Sequence, residues 1–294
     1  MKKNIIAFGV LCICLNLTCF GFNMPNFEFK KSDKSEIKTL LNKHNKAMDS
    51  RDIETLKSFY DESYISSDGF NIEEQISMLK DTYSAYSDIE YKTKINNITT
   101  FDNWALVQMS DATSAKIYPV KERKYKKQRM GILKGKSSYV VYLKKDKDSW
   151  KIISDDILME ETTLKYGIAN KINMDLITPA FVKNGKEYDL SLKMNKPSDI
   201  IALASISREE ITYPPTDNGE KFRKFPESGD LERLVKANNK NLDEYAVASV
   251  GFTKVSINEE QTKARIEVLG MAYIMKRINM EKPRMTKNEV KEKI

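Results

Sequence analysis

The sequence predicts an α+β protein in which three helices and a curved antiparallel sheet are followed by an all-β, sandwich-like part. Three observations predict this class. Apolar residues first recur every three to four positions, the period of an amphipathic helix. Four segments between residues 88 and 162 then alternate apolar and polar residues, as half-buried strands do. After residue 167 the alternation continues, with turn signals between the segments.

The amino terminus has the layout of an export signal, with the basic start "MKKN" followed by a long apolar run. The sequence therefore predicts an exported protein, periplasmic or extracellular, with a signal at 1–21 and a polar tether at 22–34. Cleavage after Gly21 is favoured. The alternatives are lipid attachment at Cys19, which lacks a good lipid-attachment motif before it, and an uncleaved anchor.

Cysteine and histidine usage limits the chemistry of the mature chain. Cys12, Cys14 and Cys19 all lie in the signal, so neither a disulfide, nor a cysteine nucleophile, nor a thiolate metal site is expected after cleavage. His44 is the single histidine, which excludes a metal site with several histidines. The chain also lacks the phosphate-loop and dinucleotide-binding motifs. We therefore expect no cofactor and no metal.

The helices come first in the chain. An apolar stripe runs from Ile37 to Met48, and a second short helix is predicted to begin near Asp52. "YISSDGF" predicts a minimal hairpin around Asp68-Gly69, a pair suited to positive φ. Asn71 then caps a third helix. The order predicts that these helices pack inside the curve of the following sheet.

Four strands follow the helices, in the segments "DIEYKTKINNITTF", "NWALVQMSDATSAKIY", "SSYVVYLKKD" and "SWKIISDDILMEET". Three helices, a small hairpin and four long antiparallel strands in this order predict a roll, in which a curved sheet wraps around the helices.

Residues 35 to 165 resemble the nuclear-transport-factor-2-like superfamily, which includes the SnoaL-like polyketide cyclases and the ketosteroid isomerases. The resemblance rests on "HNKAMDSRDIETLKSFYDESYISSDG" and on the closing strand "SWKIISDDIL". It implies a cystatin-type roll with an interior cone. It also implies a homodimer formed through the open face of the sheet.

The second half of the chain reads as strands, and no family resemblance is identified for it. "KEYDLSLKM", "DIIALASISREEITY", "KFRKF", "EYAVASVGFTKVSI" and "ARIEVLGMAYIMKRI" are predicted strands. One short helix is predicted at "LERLVKANN", residues 231–239. The predicted domains are thus a roll at 35–166, a β-rich, immunoglobulin-like part at 167–280 and a charged tail at 281–294.

Two residues are candidates for acid–base chemistry. His44 lies on the apolar stripe of the first helix, where it is either a base near neutral pH or a hydrogen-bonded core residue. Asp155 shares strand parity with Ile153 and Ile157, so it either points into the apolar interior with a raised pKa or faces solvent. The opposite parity of Trp150 and Ile152 leaves the buried face of this strand open. Neither residue forms a complete catalytic set.

Aromatic residues are the expected lining of a pocket, if the cone is open. The candidates are Tyr60, Tyr64, Tyr83, Trp104 and Tyr142. An apolar pocket with a few hydroxyl groups suits a small hydrophobic ligand. The alternative is that these side chains fill a solid core.

Residues 116–136 form the most basic stretch of the mature chain, in which nine Lys or Arg accompany one acid. We expect a protruding hairpin there, either a contact for an anionic envelope polymer or lipid or simply a solvated tip. Its candidate surface-binding residues are Lys121, Arg123, Lys124, Lys126, Lys127 and Arg129. Nucleic acid is disfavoured by the export signal.

Three functions therefore compete. The first is an exported, non-catalytic binding or scaffold protein with a pocket for a small hydrophobic ligand. The second is a cofactor-independent isomerase or cyclase that transfers protons in the cone. The third is attachment to anionic envelope surfaces through the basic stretch.

Overall fold

The structure is a computed structural model that describes residues 31–117, 130–147, 149–215, 219, 221–257 and 264–281. The predicted signal, most of the predicted tether, the centre of the basic stretch and nearly all of the predicted tail lie outside the described residues. The helices are α1 (Lys31–Ser50), α2 (Ile53–Lys57) and α3 (Ile72–Ala85), with a 3-10 helix at Ile168–Lys171. The strands are β1 (Glu90–Phe101), β2 (Trp104–Ile117), β3 (Gly131–Asp146), β4 (Ser149–Gly167), β5 (Met174–Ile177), β6 (Phe181–Val182), β7 (Glu187–Met194), β8 (Ile201–Glu210), β9 (Arg223–Lys224), β10 (Asp230–Lys236), β11 (Glu244–Ile257) and β12 (Ala264–Met280).

The three predicted helices form where the local signals place them. Asp52 caps α2 by accepting a hydrogen bond from the Thr55 backbone N–H at 3.1 Å. Asn71 and Glu74 form a reciprocal capping box at the start of α3. Between these helices, Gly69 adopts a φ of +87° in the predicted tight turn. The predictions for the helical layer are confirmed.

The four predicted strands β1 to β4 form an antiparallel series in chain order. The alternation of β2 and β3 buries one face against the helices, as predicted. The apolar cluster between the sheet and α1 contains Ile37, Leu41, Tyr64, Ala105, Val107, Met109, Val141, Leu143, Trp150 and Ile152.

The sheet does not end with the fourth strand. β4 pairs with β12 along residues 161 to 167, so the order of the large sheet is β1-β2-β3-β4-β12-β11-β8-β9. The sheet therefore continues across the predicted boundary at residue 166. Because the last long strand of the chain returns to β4, the carboxy-terminal strands come to lie beside the roll.

A second, three-stranded sheet has the order β10-β7-β5. Its inward residues Leu176, Leu190 and Leu192 are fully buried in one cluster with residues of β8, β11 and β12. The alternation of β7, with every second residue buried, follows the sequence pattern directly. The chain is thus a mixed α+β protein with mainly antiparallel strands and two sheets.

The helix predicted at residues 231–239 is wrong. Residues Asp230–Lys236 form strand β10, which pairs antiparallel with β7 throughout. Leu231, Leu234 and Val235 have helical spacing, but only Leu231 and Val235 are buried, while Leu234 is exposed. Backbone hydrogen bonds to β7 outweigh the local helical preference of so short a segment.

Among the described residues, none of the helices combines the length and the apolar character needed to span a bilayer.

Candidate functional site

A cavity of about 260 Å³ lies between the helices and the concave face of the large sheet. The roll is therefore hollow at this point. The lining is mostly apolar, with a few polar groups among aliphatic side chains, as is typical of ligand pockets. Its lining residues are Leu41, His44, Met48, Leu56, Tyr60, Ile72, Gln75, Ile76, Leu79, Met109, Asp111, Ser137, Tyr139, Val141, Ile152, Asp155, Ile157 and Glu160.

Two β-bulges in β4 bring acidic side chains into this cavity. The register of β4 against β3 shifts between Ile152 and Ser154, and again between Ile157 and Met159. Each shift changes which parity faces inward. Ile152, Asp155 and Glu160 consequently all line the cavity, although their spacing does not fit a regular strand. The sequence left open whether the odd- or the even-numbered residues of β4 face inward. In the structure both sets do, on different sides of a bulge.

Asp155 is held by a tyrosine from the segment before the tight turn. The Tyr64 hydroxyl donates to Asp155 Oδ2 at 2.8 Å. Backbone bonds from Asp61 to Ile152 and from Ser67 to Asp155 fasten this segment along β4. Burial raises the pKa of Asp155 to about 6, although the Tyr64 hydrogen bond opposes the shift. Asp155 can therefore exchange a proton near neutral pH.

His44 faces the cavity from α1. Its Nε2 lies 3.0 Å from the Tyr60 hydroxyl, and Tyr60 in turn packs edge-on against Tyr64. Burial lowers the pKa of His44 to about 4, and the nearby Asn45 side chain opposes this only partly. The imidazole is consequently neutral at physiological pH. Burial also raises the pKa of Tyr60, so its hydroxyl stays protonated.

A third polar pair consists of Asp111 on β2 and Tyr139 on β3. The Tyr139 hydroxyl donates to Asp111 Oδ2 at 3.0 Å, and burial raises the pKa of Asp111. A second space of about 390 Å³ adjoins the cavity and shares His44, Met48, Asp111 and Tyr139 with it. Sequence reasoning missed this pair, although Val107, Met109 and Asp111 share one inward parity that places an acid at the end of an apolar stripe.

The carboxy-terminal strands also reach the cavity. Glu160 accepts a hydrogen bond from the Tyr245 hydroxyl of β11 at 2.7 Å, and burial raises the pKa of Glu160. Arg277 of β12 is fully buried and binds Asp68 at 2.5 Å and Asp243 at 2.6 Å. No local sequence pattern signals these contacts, because the partners are 34 to 209 residues apart in the chain.

The structure brings some of the predicted aromatic residues together and leaves others apart. Tyr60 lines the cavity, and Tyr64 lies behind Asp155. Tyr83 does not line it but donates a hydrogen bond to the Met48 carbonyl at 2.8 Å. Trp104 is 46% exposed at the β1–β2 turn, and Tyr142 alternates with the inward Val141 and so lies outside the lining.

The predicted surface-binding residues lie outside the described residues. These are Lys121, Arg123, Lys124, Lys126, Lys127 and Arg129. On either side of them, Ile117 pairs with Gly131 at the ends of β2 and β3, as expected for strands joined in a hairpin. Contact with an anionic surface stays a prediction.

Among the described residues, no group of three or more His, Cys, Asp or Glu side chains is placed to hold a metal ion.

Solved structures are similar to part of this chain. A candidate dehydratase from the nuclear-transport-factor-2-like family of Streptomyces avermitilis is 14% identical, with a TM-score of 0.33, over 43% of this chain and 95% of its own. A conserved protein from Planctomyces limnophilus is 14% identical, with a TM-score of 0.35, over 42% and 93%. A protein from Bdellovibrio bacteriovorus is 21% identical, with a TM-score of 0.34, over 43% of this chain and only 42% of its own.

These structures include one described as a member of the nuclear-transport-factor-2-like family, which is similar to about 43% of this chain. The rest of the chain stays unassigned. No protein-family model matches the chain, and no curated protein matches it.

Proposed function

We propose that this protein binds a small, largely apolar molecule in the cavity of the roll and does not transform it. The observation that carries the proposal is the cavity of about 260 Å³ itself, which core side chains leave unfilled. Protein interiors are normally close-packed, and a void costs stability. A void of this size with converging polar groups is therefore better explained as a binding site than as a packing defect. With the predicted export signal, this would be an exported binding protein.

The lining indicates how a ligand would be held. Aliphatic and thioether side chains such as Met48, Leu79 and Met109 would bury its apolar body. The Tyr60 hydroxyl, the Asp111 carboxylate and the Gln75 amide offer hydrogen bonds that would orient it. This division between apolar walls and a few polar groups is the usual basis of specificity in small-molecule sites.

Native mass spectrometry of the purified protein tests the proposal by detecting a ligand that co-purifies. Val141 lines the cavity, so Val141→Phe should fill the space and abolish the added mass. Val255→Phe, at an exposed position of β11, is the matched control and should keep it. A Val141→Phe protein that retained the same ligand would contradict binding in this cavity.

A proton-transfer enzyme is the second candidate, favoured by the Tyr64–Asp155 pair. A carboxylate with a pKa of about 6 can remove a proton from a carbon acid and return it to another carbon. The Tyr60 hydroxyl, which stays protonated, would then be available to donate to the developing oxyanion. No cofactor is needed for such a reaction.

Deuterium exchange separates the two candidates. Small cyclic ketones would be incubated with the protein in D₂O, and loss of the α-proton signals would be followed by NMR. An enzyme should accelerate the exchange, Asp155→Asn should abolish the acceleration, and Asp156→Asn on the opposite face should retain it. A rate equal to that of buffer for every ketone would favour binding alone.

A further inference from the structure

The cavity has an unusual charge balance. Its described lining contains three carboxylates, Asp111, Asp155 and Glu160, and none of the lining residues is Lys or Arg. Lys92 borders only the outer space. The single histidine is neutral. The walls therefore offer hydrogen-bond acceptors and negative charge, with no fixed cation to balance them.

The nearest buried cation is already engaged. Arg277 binds Asp68 and Asp243, whose side chains are only 7% and 6% exposed. Among the described residues, by contrast, the side chains of Asp155 and Glu160 each accept a single hydrogen bond, from the hydroxyls of Tyr64 and Tyr245. Arg277 lowers the pKa of Asp155 and of Glu160, but burial outweighs this effect on both, and the single guanidinium already pairs with two other carboxylates.

Two buried polar atoms at the cavity also lack partners within the described residues. Within the described residues, Asp111 Oδ1 has no partner in good hydrogen-bond geometry, although the Thr93 side chain lies close enough to lower the pKa of this carboxyl and Oδ2 is bound by Tyr139. His44 Nδ1 likewise has no partner in good hydrogen-bond geometry, although the Asn45 side chain lies close enough to raise the pKa of the imidazole, while Nε2 contacts Tyr60. Buried groups of this kind are rarely left unsatisfied, so each one is available to a polar group that enters the cavity, whether of a ligand or of a water molecule. A carboxylate oxygen can only accept from such a partner.

We infer that the ligand of this cavity is a monocationic amine with a compact apolar body, an inference that rests on the binding function proposed above. The ammonium group donates to Asp111 Oδ1 and supplies the positive charge that the lining lacks. Tyr60 and Tyr139 also line the cavity, and aromatic rings attract a cation that lies over their faces. The aliphatic side chains of α1 and α3 enclose the apolar body. A carboxylate ligand of the same size is repelled by the same walls.

Isothermal titration calorimetry with shape-matched probes tests the inference. Benzylamine, benzyl alcohol and benzoate share one apolar body and differ in charge, and the corresponding naphthyl compounds repeat the series in a larger size. We expect each amine to bind about tenfold or more tightly than its alcohol, because a charge-assisted hydrogen bond replaces a neutral one. Benzoate and naphthoate should not bind measurably.

Variants locate the charge effect in the cavity. Asp111→Asn should remove the preference for the amine over the alcohol while the alcohol still binds, and Glu160→Gln should reduce the same ratio more weakly. Asp156→Asn, on the opposite face of β4, should leave the ratio unchanged. If either cavity variant fails to fold, the other variant still tests the preference for the amine. The probe series with the unmodified protein tests the same preference.

The outcomes separate the two proposals. Alcohols that bind as tightly as amines, or an amine preference that survives both cavity variants, would overturn the amine inference and leave ligand binding in place. The absence of binding by all six probes would overturn both the inference and the binding function. An amine preference lost with Asp111→Asn would support both.

Discussion

The chain buries carboxylates in two regions, and these carboxylates differ in how many hydrogen bonds and cations they receive. In the carboxy-terminal region, Glu244 is fully buried and accepts four hydrogen bonds. These come from the Tyr188 hydroxyl, the Arg208 guanidinium, and the backbone and side-chain amides of Asn238, at 2.7 to 2.9 Å. Its charge is thus matched by a cation and by directed donors, as a structural buried acid requires.

The carboxylates of the cavity accept fewer hydrogen bonds than Glu244 does. Within the described part of the chain, Asp155 and Glu160 each have one tyrosine donor, and Asp111 has one oxygen without a partner in good hydrogen-bond geometry. A fully satisfied network such as that of Glu244 rigidifies the core, whereas under-satisfied acids beside an open space are poised to interact with something else. The comparison teaches that the number of partners, more than burial, separates a structural acid from a candidate site here.

Removing Arg277 should have the largest effect. Arg277→Met keeps most of the side-chain volume but leaves Asp68 and Asp243 buried without their cation, so we expect a loss of about 3–5 kcal/mol in the free energy of unfolding. Urea denaturation measures it. Lys254→Met, in an exposed pair with Asp199 in the turn before β8, should change stability little. Equal effects of the two variants would contradict the structural importance of this ion pair.

Neutralising Glu244 tests the buried carboxylate that accepts four hydrogen bonds. Glu244→Gln keeps the shape but turns one acceptor oxygen into a donor that faces donors, so we expect a loss of about 2–3 kcal/mol in the free energy of unfolding. Chemical denaturation at pH 7.5 measures the loss. Glu232→Gln, at an exposed position of β10, is the matched control. A neutral effect of Glu244→Gln would mean that buried acids of both regions tolerate amide replacement alike.

Asp155→Asn should raise the free energy of unfolding, whereas the two preceding variants should lower it. The pKa of Asp155 is raised to about 6 in the folded state against an ordinary value of 3.8, so the folded protein loses stability as pH rises between these values. Asp156 and Asp68 raise this pKa, whereas Tyr64 and Arg277 lower it. We expect Asp155→Asn to stabilise the protein by about 1–3 kcal/mol at pH 7.5.

That gain should vanish near pH 4, where Asp155 is protonated and resembles the amide. Urea denaturation of the variant and the unmodified protein at both pH values measures the difference. Asp156→Asn on the opposite face is the control. A stabilisation that is the same at pH 4 and pH 7.5 would contradict the raised pKa of Asp155 and would weaken its role in either proposed function.

The local signals in the sequence predicted much of the fold. Asp52 and Asn71 cap the helices that they were expected to cap, because a cap requires only a side chain and backbone N–H groups three residues away. The alternation of β7 likewise matched its burial. Two residues of the site could also be found from the sequence. These are His44, which lies on the apolar stripe of α1, and Tyr60, which is one of the aromatic candidates for the pocket lining.

Other parts of the site could not be found in this way. The bulges in β4 change the inward parity twice, and nothing in the residues around Ile153 or Leu158 signals a register shift. Asp155 was therefore an ambiguous candidate, and Glu160 was missed. The apolar residues from Leu231 to Val235 have the spacing of a helix, so the sequence predicts a helix there. The segment forms a strand because it pairs with β7, which lies about forty residues earlier in the chain.

The sequence by itself determined the three amino-terminal helices, the long strands and their order, and it excluded a multi-histidine metal site. Each of these follows from residue type and short-range periodicity. Only the tertiary structure decided that Arg277 and Tyr245 meet acids of the roll, that the large sheet continues from β4 into β12, and that three carboxylates line one cavity. These features depend on contacts between residues far apart in the chain, which depend on register and packing and leave no local trace.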